Sequence, residues 1–168
     1  MAGVERGEEE SEFSLALEKS LESFVHKTLK DEQRECIRRI VVEKRDVLAV
    51  LPTGFGKSVI YQMIPSVLRN MRAGSECNTK TTVVVVSPLE YIRKQQVAVL
   101  EKLNCGISAA AIGDSTEVDN EIEEGRFDIV YGSAEQWFSD RWRRCLQFGA
   151  LHQTKVLVVD EVHTVATW

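Results

Sequence analysis

At 168 residues, 43% of them hydrophobic and 28% charged, the chain has the length and balance of a single soluble globular domain with a sizeable core. Its net charge of −5 is uneven: residues 1–12 hold five Glu against one Arg, a share of −4, so residues 13–168 carry only −1 and no basic excess marks a general nucleic-acid binder. The four cysteines are scattered without a C-x-x-C pair, which argues against a zinc site or a disulfide frame; no apolar run approaches a membrane span and no signal peptide is visible, so the expected compartment is the nucleus or the cytoplasm, with no membrane partner.

Residues 1–12 read as a disordered acidic tail. Residues 13–25 then place Phe13, Leu17, Leu21, Phe24 and Val25 at helical spacing, and residues 29–44 form a second amphipathic helix with Cys36, Ile37, Ile40 and Val41 on its apolar face. The run VLAV at 47–50 predicts a strand, followed by the loop LPTGFG and a helix from Lys57 to about Met71. A polar loop covers 73–80. TTVVVVSPL, at 81–89, is a strand whose four consecutive valines imply burial on both faces, as in a parallel sheet. A helix over 91–103, a short strand over 107–112, a helix near 118–124, a strand over 127–133, a helix over 136–148 and a last strand over 155–160 complete the pattern. Strands alternating with helices give an α/β domain with a parallel sheet flanked by helices, and the polar strand ends, Thr53 to Ser58, Ser87-Pro88, Ser133 and Asp160-Glu161, are expected to gather on one edge.

Two of those ends carry recognisable chemistry. Strand, glycine-bearing loop and helix at 47–62 form the context of a phosphate-binding P-loop. Gly54 and Gly56 permit a tight turn that brings backbone N–H groups close to phosphate, and the helix start adds unpaired donors and the positive end of its dipole. Lys57 supplies a charge for the β- and γ-phosphates, and Ser58 a hydroxyl ligand for Mg²⁺. The strict P-loop pattern has glycine where this chain has Leu51. The second motif is KVLVVDEVH at 155–163: Asp160, at a strand end, is placed to hold Mg²⁺, and Glu161 to orient or deprotonate the attacking water.

Taken together, these motifs resemble the first RecA-like domain of RecQ-type DNA helicases in helicase superfamily 2, from about Leu17 to Trp168. LPTGFGKSVIYQMIP resembles the family's motif I, with Tyr61, Gln62 and Pro65 in the expected places, and members of the family also lack the first P-loop glycine. VVSPLEYIRKQQVAVL is similar to motif Ia. DEVHTVATW resembles motif II, a DExH box running into an aromatic-rich loop. The resemblance implies a RecA-like P-loop NTPase fold over residues 13–168, with ATP and Mg²⁺ as cofactors. The implied nucleotide-binding residues are Lys30, Gln33, Thr53, Gly54, Gly56, Lys57 and Ser58. Gln33 and Lys30 would stand near adenine, and Ser58 and Asp160 would take the metal. The implied catalytic set is Lys57, Asp160, Glu161 and His163, the last coupling ATP to DNA. Two departures stand out: Phe55 replaces a usual glycine, and Ser133-Ala134-Glu135 replaces Thr-Pro-Glu.

The family's motif III and its second RecA-like domain, with an arginine finger, have no counterpart before Trp168. The expectation is therefore the ATP-binding portion of a 3′–5′ DNA helicase acting in recombination or repair, engaging single-stranded DNA weakly alone and needing that second domain. The rival readings are a non-catalytic nucleotide-binding or interaction module, and another P-loop ATPase. Two secondary clusters keep two readings each. Trp137, Phe138, Arg141, Trp142, Arg143 and Arg144 either stack bases and pair phosphates, or form a helix with Trp inward and Arg solvated. Arg93 and Lys94 either touch DNA phosphates or face solvent.

Overall fold

The structure, a computed structural model, describes residues 2–24, 28–72, 81–154 and 156–161. It divides into two compact units, Met1–Thr79 and Lys80–Trp168. Among the described residues no helix is long and apolar enough to cross a membrane.

The first unit contains helices α1 (Ala2–Ser23), α2 (Asp31–Val41) and α3 (Lys57–Met71), with α1 and α2 both packed on α3. Phe13, Leu17 and Phe24 are buried, as their spacing predicts, with Ala16 beside them; Leu21 is half-buried and Val25 lies outside the described residues. A small polar network joins α1 to α3. Ser66 Oγ donates to Ser20 Oγ at 3.0 Å, Asn70 Nδ2 donates to the same oxygen at 2.9 Å, and Ser20 Oγ donates to the Ala16 carbonyl at 2.8 Å. Each buried hydroxyl thereby keeps a partner, without which its desolvation would cost about 1–3 kcal/mol.

Two expectations for this unit need correction. Residues 2–12 are not a disordered arm: α1 runs through them without a break. Glu is a good helix former and is favoured near a helix N-terminus, and Glu10 meets Arg38 of α2 at 3.6 Å. Residues 47–50 form no strand, and Leu48 and Val50 are 77% and 85% exposed. A strand exists through its ladder, and the described elements of this unit are all helices.

The second unit is a parallel four-stranded sheet with helices. Its strands are β1 (Val83–Val86), β2 (Ala109–Ala111), β3 (Ile129–Gly132) and β4 (Val156–Val159), in the order β2-β3-β1-β4. The connecting helices are α4 (Glu90–Leu103), α5 (Thr116–Glu123), α6 (Ala134–Phe138) and α7 (Asp140–Phe148), with a 3₁₀ turn at Ala150–Gln153. Side chains alternate across a strand: Val84, Ala110 and Val130 enter a core with Ile122, Trp137, Trp142, Cys145 and Leu151, while Val83, Val85, Ile129 and Tyr131 are buried on the other face. The valine run is thus buried on both faces, as a parallel strand's composition implies.

The predicted helix over 136–148 is two helices. Ser139 adopts extended backbone between them, and its hydroxyl donates to the Gln136 carbonyl at 2.7 Å. Serine offers such local bonds in competition with the helical ladder. Helix α5 starts two residues before the expected position because Ser115 caps it, accepting from Val118 N at 3.2 Å.

Candidate functional site

In the first unit the P-loop opens α3, which begins at Lys57 as the spacing predicts. Gly54 and Gly56 have φ of 78° and 85°, the left-handed region that only glycine enters freely. At Gly56 a Cβ would also stand 2.8 Å from Gln33 Nε2. Phe55 N donates to the Pro52 carbonyl at 3.2 Å, which closes the turn, and Lys57 Nζ donates to the Leu51 carbonyl at 3.2 Å.

Gln33, 6% exposed, ties this loop to α2. Its Nε2 donates to the carbonyls of Phe55 and Gly56, both at 3.0 Å, and its Oε1 accepts from Lys30 N at 2.9 Å. Both amide hydrogens and one acceptor site are therefore engaged inside the protein. A trans peptide points its C=O and N–H in opposite directions, so holding the carbonyls of residues 55 and 56 on Gln33 turns the N–H groups of Gly56 and Lys57 away from it. With Ser58, these N–H groups stand at the first turn of α3, where helix geometry leaves donors without intrahelical acceptors. Outward N–H groups, a helix N-terminus, an ammonium and a hydroxyl are a donor set suited to a polyphosphate and its metal. The structure thus brings Lys30, Gln33, Gly56 and Lys57 into one hydrogen-bonded neighbourhood, with Thr53, Gly54 and Ser58 on the same loop and helix start.

In the second unit the parallel register puts the C-terminal ends of β1, β3 and β4 on one edge: Val86 lies opposite Gly132 and Val159. Ser87 N donates to the Gly132 carbonyl and Asp160 N to the Val86 carbonyl, each at 2.9 Å, so Ser133, Ser87 and Asp160 follow one another along that edge. Glu161 N donates to Asp160 Oδ1 at 3.0 Å, and Glu161 has φ of 57°. A non-glycine residue there carries roughly 1–2 kcal/mol of strain. Asp160 and Glu161 are both half-buried. His163 lies outside the described residues.

The departure at 133–135 costs the edge little. Ser133 caps α6, its Oγ accepting from Gln136 N at 3.2 Å while Gln136 Oε1 accepts from Ser133 N at 2.8 Å, a capping box. Gln136 Nε2 then donates to the Ile112 carbonyl at 2.9 Å, lacing the end of β2 to the same corner. Sequence reasoning passed over Gln136, although the Ser-x-x-Gln spacing signals this cap.

The Trp-rich cluster takes the inward form. Trp137 and Trp142 are buried edge to face with centroids 6.1 Å apart, and Trp137 Nε1 donates to the Val85 carbonyl at 3.2 Å. Arg141 pairs with Glu123 at 2.7 Å, while Arg143 and Arg144 are exposed. Stacking of bases on these two tryptophans is therefore not available in this packing. Arg93 is neither solvated nor directed to a surface: it is 6% exposed and donates to the Ser87 carbonyl at 2.7 Å. Burial lowers its pKa from the usual guanidinium value, against the pull of Glu90 and Glu135. Lys94 is exposed and bridges Glu90 at 2.9 Å, which raises its own pKa and lowers that of Glu90.

Comparison with known proteins places this geometry in a family. The description DEAD/DEAH box helicase matches residues 30–168. The chain is 31% identical over 152 residues to "ATP-dependent DNA helicase RecQ" of Bacillus subtilis, covering 86% of this chain and 23% of that protein. It is 33% identical over 153 residues to "ATP-dependent helicase wrn-1" of Caenorhabditis elegans, covering 88% and 13%. It is 29% identical over 168 residues to "ATP-dependent RNA helicase DBP9" of Eremothecium gossypii, covering 94% and 28%. The chain spans less than a third of the length of each of these relatives. A phosphate-type loop gripped by Gln33, a DExH sequence at a parallel strand end and a family match from Lys30 to Trp168 agree: the chain belongs to the DEAD/DEAH box helicases and is RecQ-like within them.

Proposed function

We propose that this chain supplies the ATP-binding portion of a RecQ-type, ATP-dependent 3′–5′ DNA helicase. Mg²⁺-ATP would be held by Lys57, Ser58 and the loop N–H groups, with Asp160 on the metal and Glu161 activating water. Thr53, Gly54 and Gly56 complete the loop, Lys30 adjoins it, Gln33 stands on the adenine side, and His163 links nucleotide to DNA. The observation that carries this reading is the Gln33 grip on the carbonyls of Phe55 and Gly56, which leaves the loop's N–H groups directed away from α2. Mg²⁺ supplies charge neutralisation on the phosphates when bound. The protein's own part is to fix the donors, present a carboxylate at Asp160 and orient water at Glu161. Single-stranded DNA is the proposed track, a second RecA-like domain the proposed partner, and the nucleus the proposed compartment.

The test is phosphate release from this chain fused after Trp168 to a RecQ-type second domain, with single-stranded DNA and with RNA of matching sequence. The expected result is turnover stimulated more by DNA than by RNA and abolished by Glu161→Gln. Turnover indifferent to Glu161→Gln would overturn the catalytic assignment, and stimulation by RNA alone would replace DNA with RNA as the track, as the similarity to an RNA helicase makes worth asking.

A further inference from the structure

Position 55 carries a bulky aromatic side chain inside a loop otherwise turned by glycine. In the structure that ring has a partner, the Lys30 ammonium, whose Nζ stands 3.8 Å from the ring centroid. Lys30 is the N-cap residue of α2, and its backbone N–H is held by Gln33, the residue whose amide grips the carbonyls of Phe55 and Gly56. One short segment of chain therefore holds the loop tip in two ways, an amide on its carbonyls and an ammonium on its ring.

We infer that Phe55 and Lys30 form a latch that sets the phosphate-facing conformation of the loop, making Phe55 a positioning residue for the triphosphate and giving Lys30 its effect through the loop rather than through the adenine base. The physical basis is the ring quadrupole, whose negative face attracts a cation placed over it. Lys30 is exposed and Phe55 half-buried, so the contact is of the weaker, partly solvated kind. It acts next to Gly56, where two left-handed glycines make the backbone easy to deform. A loop that soft needs restraint from its side chains, and Phe55 is the one large side chain between the two glycines. The inference rests on the proposal that this loop binds phosphates.

Two probes separate the effects of loop and base: Mg²⁺-ATP, and Mg²⁺ with inorganic tripolyphosphate, which has no base. Both are measured by competition against a ribose-labelled fluorescent ATP analogue on the full chain. Phe55→Leu keeps bulk and removes the quadrupole, and Lys30→Met keeps the stem and removes the charge. Each is expected to weaken both probes by the same factor, about two- to five-fold, the range of an exposed cation–π contact. The double variant is expected to be no weaker than either single one, and Phe55→Tyr to bind like the wild type. Lys30→Met weakening ATP while sparing tripolyphosphate would return Lys30 to the base and overturn the latch. So would a double variant whose loss equals the product of the single losses, or a failure of Phe55→Tyr to restore binding. The underlying phosphate-site reading is tested separately by Lys57→Ala: unchanged tripolyphosphate affinity in that variant removes the site itself, whereas a latch that fails beside a weakened Lys57→Ala removes only the latch.

Discussion

The two units hold their motif residues by different means. In the first, the apolar residues leading into the loop have no ladder, and Leu48 and Val50 are open to solvent. The loop is instead fixed by side chains reaching backbone, Gln33 on two carbonyls and Lys57 on a third. In the second unit, Asp160 is held through its backbone N–H, as the continuation of a parallel ladder through Val86, and the strain falls on the next residue, Glu161. Side-chain bonds can be removed one at a time, so the loop is adjustable by single substitutions that leave its surroundings folded. The acidic strand end depends on the sheet, and whatever loosens the sheet's corner moves it.

That contrast is open to direct attack. The largest stability effect is expected from Gly132→Ala. A Cβ there would meet Trp137 Nε1 at 2.6 Å and Ile112 Cδ1 at 2.8 Å, overpacking that costs about 1–3 kcal/mol. Urea denaturation should show it as a lowered midpoint. An unchanged midpoint would mean the sheet's corner is looser than described.

Gln33→Leu is expected to cost slightly less, about 1–2 kcal/mol, for the hydrogen bonds lost from one side chain. Its signature is local: faster hydrogen exchange at Phe55 and Val59, whose N–H groups are bonded within the loop turn, with exchange in β1 and β3 unaltered. Equal acceleration in both units would erase the distinction between them. Trp137→Phe removes one buried donor bond to the Val85 carbonyl and is expected to destabilise by about 1 kcal/mol, again read from denaturation, with nucleotide affinity little changed.

The smallest effect is a pH dependence in the first unit. Hydrogen bonds from Arg38 and then Arg39 lower the Glu35 pKa from its ordinary 4.5 to about 2. A depressed carboxyl stabilises the fold above its unfolded value, and the contribution is lost as pH falls from about 4.5 towards 2. The Glu35 side chain is 41% exposed, so solvent screening keeps the effect small. The melting-temperature difference between wild type and Glu35→Gln is expected to shrink across that window, and a constant difference would show that these bonds do not form in solution.

Much of this was legible in the chain. The valine run of β1, the start of α3 at Lys57 and the alternation of strands with helices follow from period and composition, because burial on both faces leaves few other residues possible. The acidic start of α1 misled because its charge suggested a solvated arm, whereas Glu also favours a helix N-terminus. The segment at 47–50 misled because an apolar run states a preference for burial, not the presence of a neighbouring strand. Least legible was the use of Gln33: its place in sequence suggested a base reader, and its engagement with two loop carbonyls is a long-range contact that periodicity does not encode. Phe55 read as a departure for the same reason, since its partner Lys30 belongs to another element.

The central claim is that the loop ending at Lys57 and Ser58 binds a nucleotide's phosphates. Isothermal titration calorimetry of Mg²⁺-ATP on the full chain and on Lys57→Ala tests it most directly. Loss of the ammonium is expected to weaken binding by about 2–3 kcal/mol, the scale of a charge-assisted hydrogen bond, with the denaturation midpoint unmoved. Equal affinity in the two proteins would contradict the account.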